Sequence, residues 1–583
     1  MSSPERPQLN LFAVKVDGTD LPPAFFNVLA ELEVEQSLHM PGMFTLRVAE
    51  NITSSPAWEW ADDARFSIGK AVSVQVRDGT SFVPLLEGEI TSIELDIEQE
   101  AVPMLIVRGY DKSHRLHRGT RTRAFVRQTD SQIAQSIAGQ AGLQLQADST
   151  SVQHEHLFQV NQTDWEFLSD RARRIGFVLR FADGKLHFQK PESNSGTSVR
   201  LELGQVLLEF RPRFAASSQV NSVEVRGWDP QQKRPTVGTA STSSWTPTTT
   251  GLPKGAAAAQ QGFSSAAKLI VTDQGISKAD EAQAIAGATL KAIASVDMAG
   301  EGRCLGNPKV KPGVAVQIAG VGTRFSGNYQ VTATRHTYTP EDGYLTEFTV
   351  DGMSSGTVAS LLLGDPRRPG HAAPRAAWPL AVGIVTNNKD DERGARVKVK
   401  FPWLSEELES GWAPVVSPMA GASRGLILLP EVNDEVLVGF LDGDFNYPYV
   451  LGATWNGQDK APLHTGKLVS GDGEVLVRHF QTRAGHILSF DDTRGSEKIE
   501  LIDKSGKNFL KVESSSGKIT IEASGNITIT AGGKVAIEAK ADAAVKGANV
   551  SVEAQGKLEL KGAQVTISGT GQVKISAPAV QIN

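Results

Sequence analysis

Three absences narrow what this chain of 583 residues can be. It has a single cysteine, Cys304, so no intrachain disulfide can form and stability must come from packing or oligomerisation. It has no run of about 18 apolar residues, so we expect no transmembrane helix. Its N-terminus, MSSPERPQLN, lacks an apolar segment. We therefore expect no signal peptide, and export would need a route other than general secretion.

Patterns typical of common catalytic sites are absent as well. The chain contains neither the phosphate-binding pattern G-x-x-x-x-G-K-[ST] nor the nucleophile pattern G-x-S-x-G. Nothing around Cys304 supports a reactive thiol, and we interpret it as a half-buried structural residue. The formal net charge of −6 gives no global basic signal for nucleic acid.

A short phrase repeats through residues 517–583, a stretch without Phe, Tyr or Trp. Each copy is an apolar-x-apolar strand followed by a small or polar corner, as in GKITI, GNITI and GKVAI. The first apolar residues recur at steps of 7 or 8 and are Ile519, Ile527, Val535, Ala543, Val550, Leu558, Val565, Val573 and Val580. Strands this short cannot stand alone, so the apolar rows must face copies of themselves. The pattern predicts a β-solenoid.

Upstream of the repeat, strand patterns are interrupted by helix signals. Capping-box spacing predicts one helix near 131–141 and another near 164–175. A third helix is predicted over about 278–295, beginning at Ser277. Residues 231–262 are rich in Thr, Ser, Pro, Gly and Ala, and we interpret them as a low-complexity loop or an ordered excursion over a surface.

The stretch DPRRPG at 365–370 marks a domain boundary, and a compact all-β segment follows over 379–455. Its predicted strands lie near 383–386, 396–401, 412–416, 425–429, 435–440 and 447–450. Five to six strands in this length indicate a small closed barrel such as an OB-fold.

Several phrases carry a resemblance to a known family. GIVTNNKDDERGARVKVKFPW, WAPVVSPMAG and LLPEVNDEVLVGFLDGDFNYPYVLG resemble the OB-fold domain of VgrG and phage baseplate spikes. GYDKSHRLHRGTRTRAF, SIAGQAGL, DWEFLSDRARRIGFVLRFADGKLHF and GNPKVKPGVAVQIAG resemble the phage late-control-D hub. The order of hub, barrel and repeat is that of the VgrG-like central spikes of contractile injection systems.

The resemblance implies a mainly β protein with some helix. We expect an α+β hub with β-barrel domains, an OB-fold barrel and a C-terminal trimeric, triple-stranded β-helix or prism. The predicted regions are a hub over 1–365, a linker over 366–378, the barrel over 379–455, a neck over 456–485 and the spike over 486–583.

The repeat itself supports a homotrimer, because one chain with two inward apolar positions per copy buries too little to fold alone. Three intertwined chains would bury these positions along one axis and would pair the strand edges. The predicted spike core is Ile519, Ile521, Ile527, Ile529, Val535, Ile537, Val550, Val552, Leu558, Leu560, Val565, Ile567, Val573, Ile575, Val580 and Ile582. Nine copies, each advancing by one strand spacing, would give a shaft of roughly 40 Å.

The partners are implied by the resemblance. They are tail tube and baseplate subunits at the hub, effector cargo, and a PAAR-type protein at the tip. An open prism end would expose apolar core and unpaired backbone, so we expect the cap to bind the last residues. The predicted cap-binding tip is Ala579, Val580, Gln581, Ile582 and Asn583.

Several polar clusters were weighed against chemistry. His154 and His156 form an H-x-H pattern, but no further ligands are suggested nearby, and a surface or interface strand is favoured over a metal. The most basic stretch is His114, Arg115, His117, Arg118, Arg121, Arg123 and Arg127. A charged inner wall or a contact with an acidic tube subunit is favoured there over nucleic acid.

Paired carboxylates occur at Asp390 and Asp391, at Asp442 and Asp444, and at Asp491 and Asp492. All lie in turn-like sequences, where Asp is favoured for local hydrogen bonding.

We therefore predict no catalysis, no cofactor, no metal and no nucleic-acid partner, with membranes punctured transiently and without a transmembrane segment. Two alternatives stay open: a cell-wall-degrading phage-type spike enzyme, and a carbohydrate-binding β-helix tailspike or adhesin. Assembly is expected in the cytoplasm, as part of a particle that could be released from the cell. An extracellular particle, a type VI apparatus and a phage all remain candidate owners.

Overall fold

A computed structural model describes residues 11–50, 58–98, 101–191, 198–229, 232–243, 248–249, 251–272, 275–352, 380–392, 394–462 and 467–582. The chain divides into two compact units, Met1–Lys460 and Ala461–Asn583, and each is described by itself. The predicted linker 366–378 lies outside the described residues. Within the described part of the chain, no helix has the length and apolar character needed to cross a membrane.

Strands dominate the hub region. They are β1 (Phe12–Val16), β2 (Thr19–Asp20), β3 (Leu29–Ser37), β4 (Met43–Ala49), β5 (Ala71–Asp78), β6 (Ser81–Asp96), β7 (Met104–Asp111), β8 (Arg121–Thr129), β9 (Gln144–Ala147), β10 (Gln153–Gln162), β11 (Val178–Ala182), β12 (Lys185–Gln189), β13 (Val199–Glu202), β14 (Leu207–Phe214), β15 (Ser222–Asp229), β16 (Arg234–Ala240), β17 (Thr248–Thr249), β18 (Lys268–Val271), β19 (Met298–Leu305), β20 (Ala315–Ala319), β21 (Gly327–Gln330), β22 (Ala333–Thr339) and β23 (Gly343–Val350).

Helices in the same region are few. They are α1 (Pro23–Asn27), α2 (Asp130–Gln140), α3 (Asp164–Arg174), α4 (Gly255–Phe263) and α5 (Ala279–Ser295), with a 3₁₀ turn at Lys112–His117. This content confirms a mainly β protein with some helix.

The largest sheet of the hub has eleven strands in the order β14-β19-β23-β22-β3-β4-β7-β6-β5-β1-β2. Its pairs are antiparallel throughout. Apolar residues alternate along its strands, so that Val72, Val74 and Val76 of β5 are buried on one face. Smaller sheets, with the orders β10-β8, β11-β12-β9, β13-β20-β21-β17 and β16-β15-β18, complete the hub.

Two predicted helices are confirmed together with their start signals. Thr129 and Gln132 form a complete capping box at α2, and Thr163 and Glu166 form one at α3. The third helix exists, but its predicted start at Ser277 is wrong. The N-cap of α5 is Lys278, without a side-chain cap. The Ser277 carbonyl accepts from the Thr236 hydroxyl of β16 at 3.2 Å, one residue before that N-cap.

The interpretation of residues 231–262 as a loop is wrong where the structure describes them. They contain β16, which pairs along its length with β15, and most of α4. Gly238 of β16 lies against the α5 backbone, where a Cβ would come within 2.2 Å of Ala282. The small residues therefore reflect close packing of a strand on a helix, which composition alone does not distinguish from a loop.

The barrel region consists of short strands. They are β24 (Leu380–Asn387), β25 (Arg396–Lys400), β26 (Ala413–Pro414), β27 (Ala420–Gly421), β28 (Arg424–Gly425), β29 (Glu435–Phe440) and β30 (Pro448–Ala453). Five of them form the sheet β26-β25-β24-β29-β30. A parallel bridge between Val415 and Val450 joins its two ends, so the barrel closes as predicted. The predicted strand at 425–429 is wrong beyond Gly425, because Leu426–Leu429 form no strand and β28 pairs only with β27.

Apolar side chains of the hub pack against the core of the barrel. Phe158 of β10 belongs to the barrel core, together with Val399, Val436 and Phe445. Its ring centroid lies 5.2 Å from that of Phe445, and its backbone N–H donates to Asn446 Oδ1 at 2.7 Å. A hub strand thus closes the barrel core, and the two regions fold as one compact unit.

The second unit opens with an antiparallel sheet of five strands. They are β31 (Val477–Gln481), β32 (Ile487–Asp491), β33 (Lys498–Ile502), β34 (Phe509–Glu513) and β35 (Lys518–Glu522), paired in chain order. The predicted neck over 456–485 therefore ends too late, since β31 already belongs to the sheet. From Ser524 to Ile582 the described chain forms no strand with itself.

Candidate functional site

The C-terminal repeat exposes the residues that a soluble chain normally buries. All sixteen predicted core positions are at least half exposed, from Val573 at 50% to Ile582 at 90%. In most copies the second apolar residue is more exposed than the first, as with Val535 at 54% and Ile537 at 85%. A continuous apolar row of this length on a surface marks an interaction site.

The backbone of the repeat has the same need for a partner. Among the described residues 524–582, segments without regular secondary structure alternate with bends, and none pairs with another described segment of the chain. Extended backbone carries one donor and one acceptor per residue, and these must be satisfied by water or by another strand. In the repeat, the β-branched side chains lack an apolar partner and the backbone lacks a partner strand. A β-sheet contact with another chain would supply both.

The sheet β31–β35 also exposes apolar side chains, on one of its two faces. Cross-strand register places Leu488, Leu501, Leu510 and Ile521 in one row, and Phe490, Ile499, Val512 and Ile519 in the next. Both rows stand on one face, because residues two apart along a strand share a face. Apart from Val512, which is partly buried, these residues are exposed.

The opposite face of this sheet is mostly polar and is covered more than the apolar face. Ser489 and Asp491 are buried there. Lys498 pairs with Glu500 at 3.0 Å, and Lys511 pairs with Glu513 at 3.2 Å. One half-buried apolar row, Ile487, Ile502 and Phe509, shares this face. The chain thus folds with these ion pairs largely covered and with two apolar rows facing out. That arrangement is unfavourable for an isolated sheet and suits one that packs on other apolar surfaces.

The predicted tip residues 579–582 continue this pattern. Val580 and Ile582 are exposed and belong to no strand of the described chain. Asn583 lies outside the described residues. Cap binding at this tip stays a prediction.

Much of the predicted basic stretch is neutralised inside the hub. Glu89 accepts from His114 Nε2 at 3.0 Å and pairs with Arg115. Asp164, the first residue of α3, pairs with Arg121 Nε at 3.1 Å and with Arg123. The other positions include Arg118 and Arg127, which are exposed. An acidic external partner for this stretch stays a prediction, now centred on those two arginines.

His154 and His156 take part in the architecture of the first unit. His154 Nε2 lies 3.2 Å from Asp130 Oδ2, and Asp130 also accepts from Arg171 Nε at 2.6 Å. Burial alone would raise the pKa of Asp130, but the hydrogen bond from His154 and the charge of Arg171 together lower it to about 2. His156 contacts the ring of Phe158, with 4.5 Å between ring centroids, and burial lowers its pKa. Among the described residues no cluster of His, Cys, Asp and Glu could hold a metal ion.

The paired carboxylates and the cysteine also have structural surroundings. Asp390 accepts from Arg396 at 2.8 Å, and that bond lowers the pKa of Asp390 to about 2. Asp444 lies 3.8 Å from Arg174, and Asp491 accepts from the backbone of Thr493 at 3.0 Å. Cys304 is fully buried rather than half-buried, and burial raises its pKa to about 12. Its thiolate is therefore strongly disfavoured.

Sequence reasoning missed two buried residues of the first unit, one at the contact of hub and barrel and one inside the hub. Phe158 lies in a strand with no distinctive pattern, and Arg171 is a charged residue on a helix that also carries five other charged residues. Only their burial, between elements far apart in sequence, marks them. No local signal could have identified either one.

Comparison with known families identifies the chain. A family model described as the Alg8 N-terminal domain matches residues 6–340, which is more than half of the sequence. The chain belongs to this family. A second model, described as the type VI secretion system/phage-baseplate injector OB domain, matches residues 381–455. This match covers the closed barrel and confirms the predicted baseplate OB domain.

Curated relatives are VgrG spike proteins. The chain is 33% identical over 141 residues to the type VI secretion system spike protein VgrG3 of Vibrio cholerae, which is 22% of this chain and 13% of that one. It is 32% identical over 126 residues to VgrG2a of Pseudomonas aeruginosa, which is 21% of this chain and 14% of that one. The matches therefore span about a seventh of these relatives. With the barrel match, they confirm that the chain is VgrG-like.

A solved structure supports the fold over most of the chain. The Francisella PdpA–VgrG complex in its half-lidded form aligns with a TM-score of 0.50 and 11% identity, and covers 88% of each chain. At that identity the likeness shows a shared fold and nothing more.

Proposed function

We propose that this chain is the homotrimeric central spike of a contractile injection system, in which the hub joins the tail tube and baseplate and the repeat forms the piercing shaft. The observation that carries the proposal is the repeat, with its sixteen exposed apolar side chains and, from residue 524 onward, a backbone that pairs with nothing else in the described chain. Only other strands of the same period can cover such a surface along its whole length.

Copies of the same chain meet that requirement best. In a threefold arrangement, equivalent residues such as the three copies of Ile527 lie at one height around the axis. Each strand then hydrogen-bonds to its neighbours, and no edge remains free along the shaft. Burying a Val, Leu or Ile side chain contributes about 1.5–3 kcal/mol, so the full row favours assembly strongly. The β-branched side chains have few rotamers, which favours a stiff shaft suited to transient puncture of a membrane.

The remaining partners follow from the same proposal. Tail tube and baseplate subunits would bind the hub, and a PAAR-type protein would cover Val580 and Ile582 at the tip. The Francisella VgrG structure is a complex with PdpA, which supports a partner protein for this chain too, whether cap or effector cargo. The chain would act mechanically, as a part assembled in the cytoplasm and carried in an injection particle.

Native mass spectrometry of the purified full-length chain tests the trimer. We expect a single species of three times the chain mass, 62.4 kDa, that persists on dilution. A stable monomer would overturn the proposal.

The cap is tested with the PAAR-repeat protein of the same system as the probe. The variant Val580→Asp with Ile582→Asp should lose binding while the oligomer mass stays unchanged. The matched control, Lys574→Asp, changes charge at a position between the two apolar residues of an earlier copy and should bind normally. Equal binding by both variants would place the cap elsewhere.

A further inference from the structure

The barrel carries a hairpin that no other described residue of the first unit covers. Its strands β27 and β28 pair at two positions, and the Leu426 N–H donates to the Met419 carbonyl at 3.0 Å. The Ser417 hydroxyl lies 3.0 Å from the Met419 carbonyl and 2.6 Å from the Leu426 carbonyl, and so holds the two sides together at the base. Residues 417–428, called the arm below, therefore have a defined shape.

The arm has the composition of an interface rather than of a solvated loop. Each residue from Pro418 to Leu428 is exposed, and Arg424 is the only charged residue among them. Large apolar side chains stand at Met419, Leu426, Ile427 and Leu428, with Ile427 80% exposed. Loops facing water are seldom this poor in charge, and depletion of charge is typical of interface centres.

A second apolar surface lies on the outside of the same barrel. Side chains alternate in and out along β24, so that Ala381 is buried while Leu380 and Val382 are exposed. Register places Leu380 opposite Gly439 and Val382 opposite Leu437, and exposed Leu451 lies on the next strand, β30. These five residues form what is called the outer patch below. Water-facing positions of a small barrel are normally polar, so this patch is unusual.

Gly439 leaves a depression in the surface of the outer patch. A Cβ built there would lie 3.5 Å from a methyl of Leu451 and 3.7 Å from a methyl of Leu380. The glycine therefore leaves a shallow dimple between two leucines, at the centre of the patch. A single branched side chain matches such a dimple in size and chemistry.

The arm and the outer patch do not cover one another within a chain, since both are exposed in it. The arm leaves the barrel after Val416, whose N–H donates to the Val450 carbonyl of β30 at 2.8 Å, so the base of the arm is fixed at the barrel wall. One domain therefore exposes two different apolar surfaces, the arm and the outer patch. The arm of one copy can contact the patch of the next, and such head-to-tail contacts close into a ring when a threefold rotation relates the copies.

We propose that the arm of one copy docks on the outer patch of the next copy, with Ile427 seated over Gly439. This inference rests on the proposed trimer and adds to it a contact made by the barrels and separate from the repeat. Three such contacts would close a ring around the threefold axis. Rotation of one barrel against the next would then require three arms to leave their patches.

Site-directed cross-linking of the full-length chain tests the docking. The pair Ile427→Cys and Leu451→Cys is introduced together, and the native Cys304 is left in place because it is fully buried. Under oxidation, or with a short bismaleimide, we expect a covalent trimer on denaturing gels, since thiols on touching residues fall within bonding reach. Each single variant should stay monomeric on the same gel. A control pair, Ile68→Cys with Leu451→Cys, uses an exposed hub residue and should stay monomeric too.

Native mass is measured on every variant, so that the two proposals fail differently. A native trimer in which the double variant does not cross-link overturns the docking and leaves the spike trimer intact, with another segment or partner covering the patch. Dimers formed by Ile427→Cys alone would place the arms against one another and also overturn it. A native monomer would overturn the trimer and the docking together.

Discussion

The two units of this chain differ in the exposure of their apolar side chains. In the first unit, hub and barrel bury their apolar residues in five clusters, down to Phe44, Leu46 and Val436 at full burial. In the second unit, the rows of Leu501 and Ile537 face outward. The first unit is therefore complete as a folded object in one copy, whereas the second shows a surface that only an assembly completes.

The two units also differ in where their ion pairs lie. The first unit buries ion pairs such as Asp130 with Arg171, which require exact partners within the chain. Along the repeat, Lys557 and Lys561 pair with Glu559 on an exposed surface. Exposed pairs contribute little to stability, so the repeat depends on apolar contacts between chains. Four sets of variants test this contrast between the two units.

The largest effect is expected in the repeat. Ile527→Asp with Val535→Asp would place six carboxylates on the axis of a trimer, and each buried charge costs several kcal/mol. We expect loss of the trimer by native mass spectrometry. Thr528→Asp with Ala536→Asp adds the same charge at the neighbouring outward positions and should leave the mass unchanged. If both pairs behave alike, the repeat has no inward face.

Next in size is the hub–barrel contact. Phe158→Ala should lower the free energy of unfolding of the first unit by about 3–5 kcal/mol, because it leaves a cavity in the barrel core. Denaturant unfolding followed by tryptophan fluorescence measures the loss. Phe263→Ala, at an exposed position of α4, should change it by less than about 0.5 kcal/mol. A small effect at Phe158 would mean that the barrel core closes without the hub.

The buried pair of Asp130 and Arg171 should make the free energy of unfolding depend on pH, by about 2 kcal/mol. The pKa of Asp130 is about 2 in the folded chain against an ordinary value of 3.8. Its contribution to stability is therefore present above pH 3.8 and is lost as the pH falls towards 2.

Asp130→Asn should accordingly reduce stability at neutral pH and flatten its dependence between pH 4 and pH 2, as measured by denaturant unfolding at each pH. Asp20→Asn, in an exposed pair with Lys15, is the matched control and should do neither. If both variants change the pH dependence of the free energy of unfolding equally, the buried ion pair is not its cause.

The smallest effect is expected at a helix start. Thr163→Ala removes the side-chain acceptor of the α3 capping box and should cost about 1 kcal/mol. Thr163→Ser keeps the acceptor and should cost less than half of that. Thermal unfolding of the first unit compares the two variants, and equal losses would show that the cap contributes nothing.

Local patterns predicted the parts of the fold that short segments decide. The capping boxes at Thr129 and Thr163 located two helices, and apolar alternation located the barrel strands. The failures share a cause. The loop interpretation of residues 231–262 and the helix start at Ser277 are wrong because β16 packs against α5 and its Thr236 bonds Ser277, contacts between segments far apart in sequence. The apolar run at Leu426–Leu429 has strand composition but no strand partner.

Residue spacing along the chain was enough to predict the period of the repeat, the order of hub, barrel and repeat, and the resemblance to VgrG spikes. The fold was needed to show that Phe158 belongs to the barrel core, that Asp130 and Arg171 are buried together, and that an arm and an apolar patch are both exposed on one barrel. The physical reason is that burial and exposure belong to surfaces brought together from distant segments, and no local pattern records which surfaces remain uncovered.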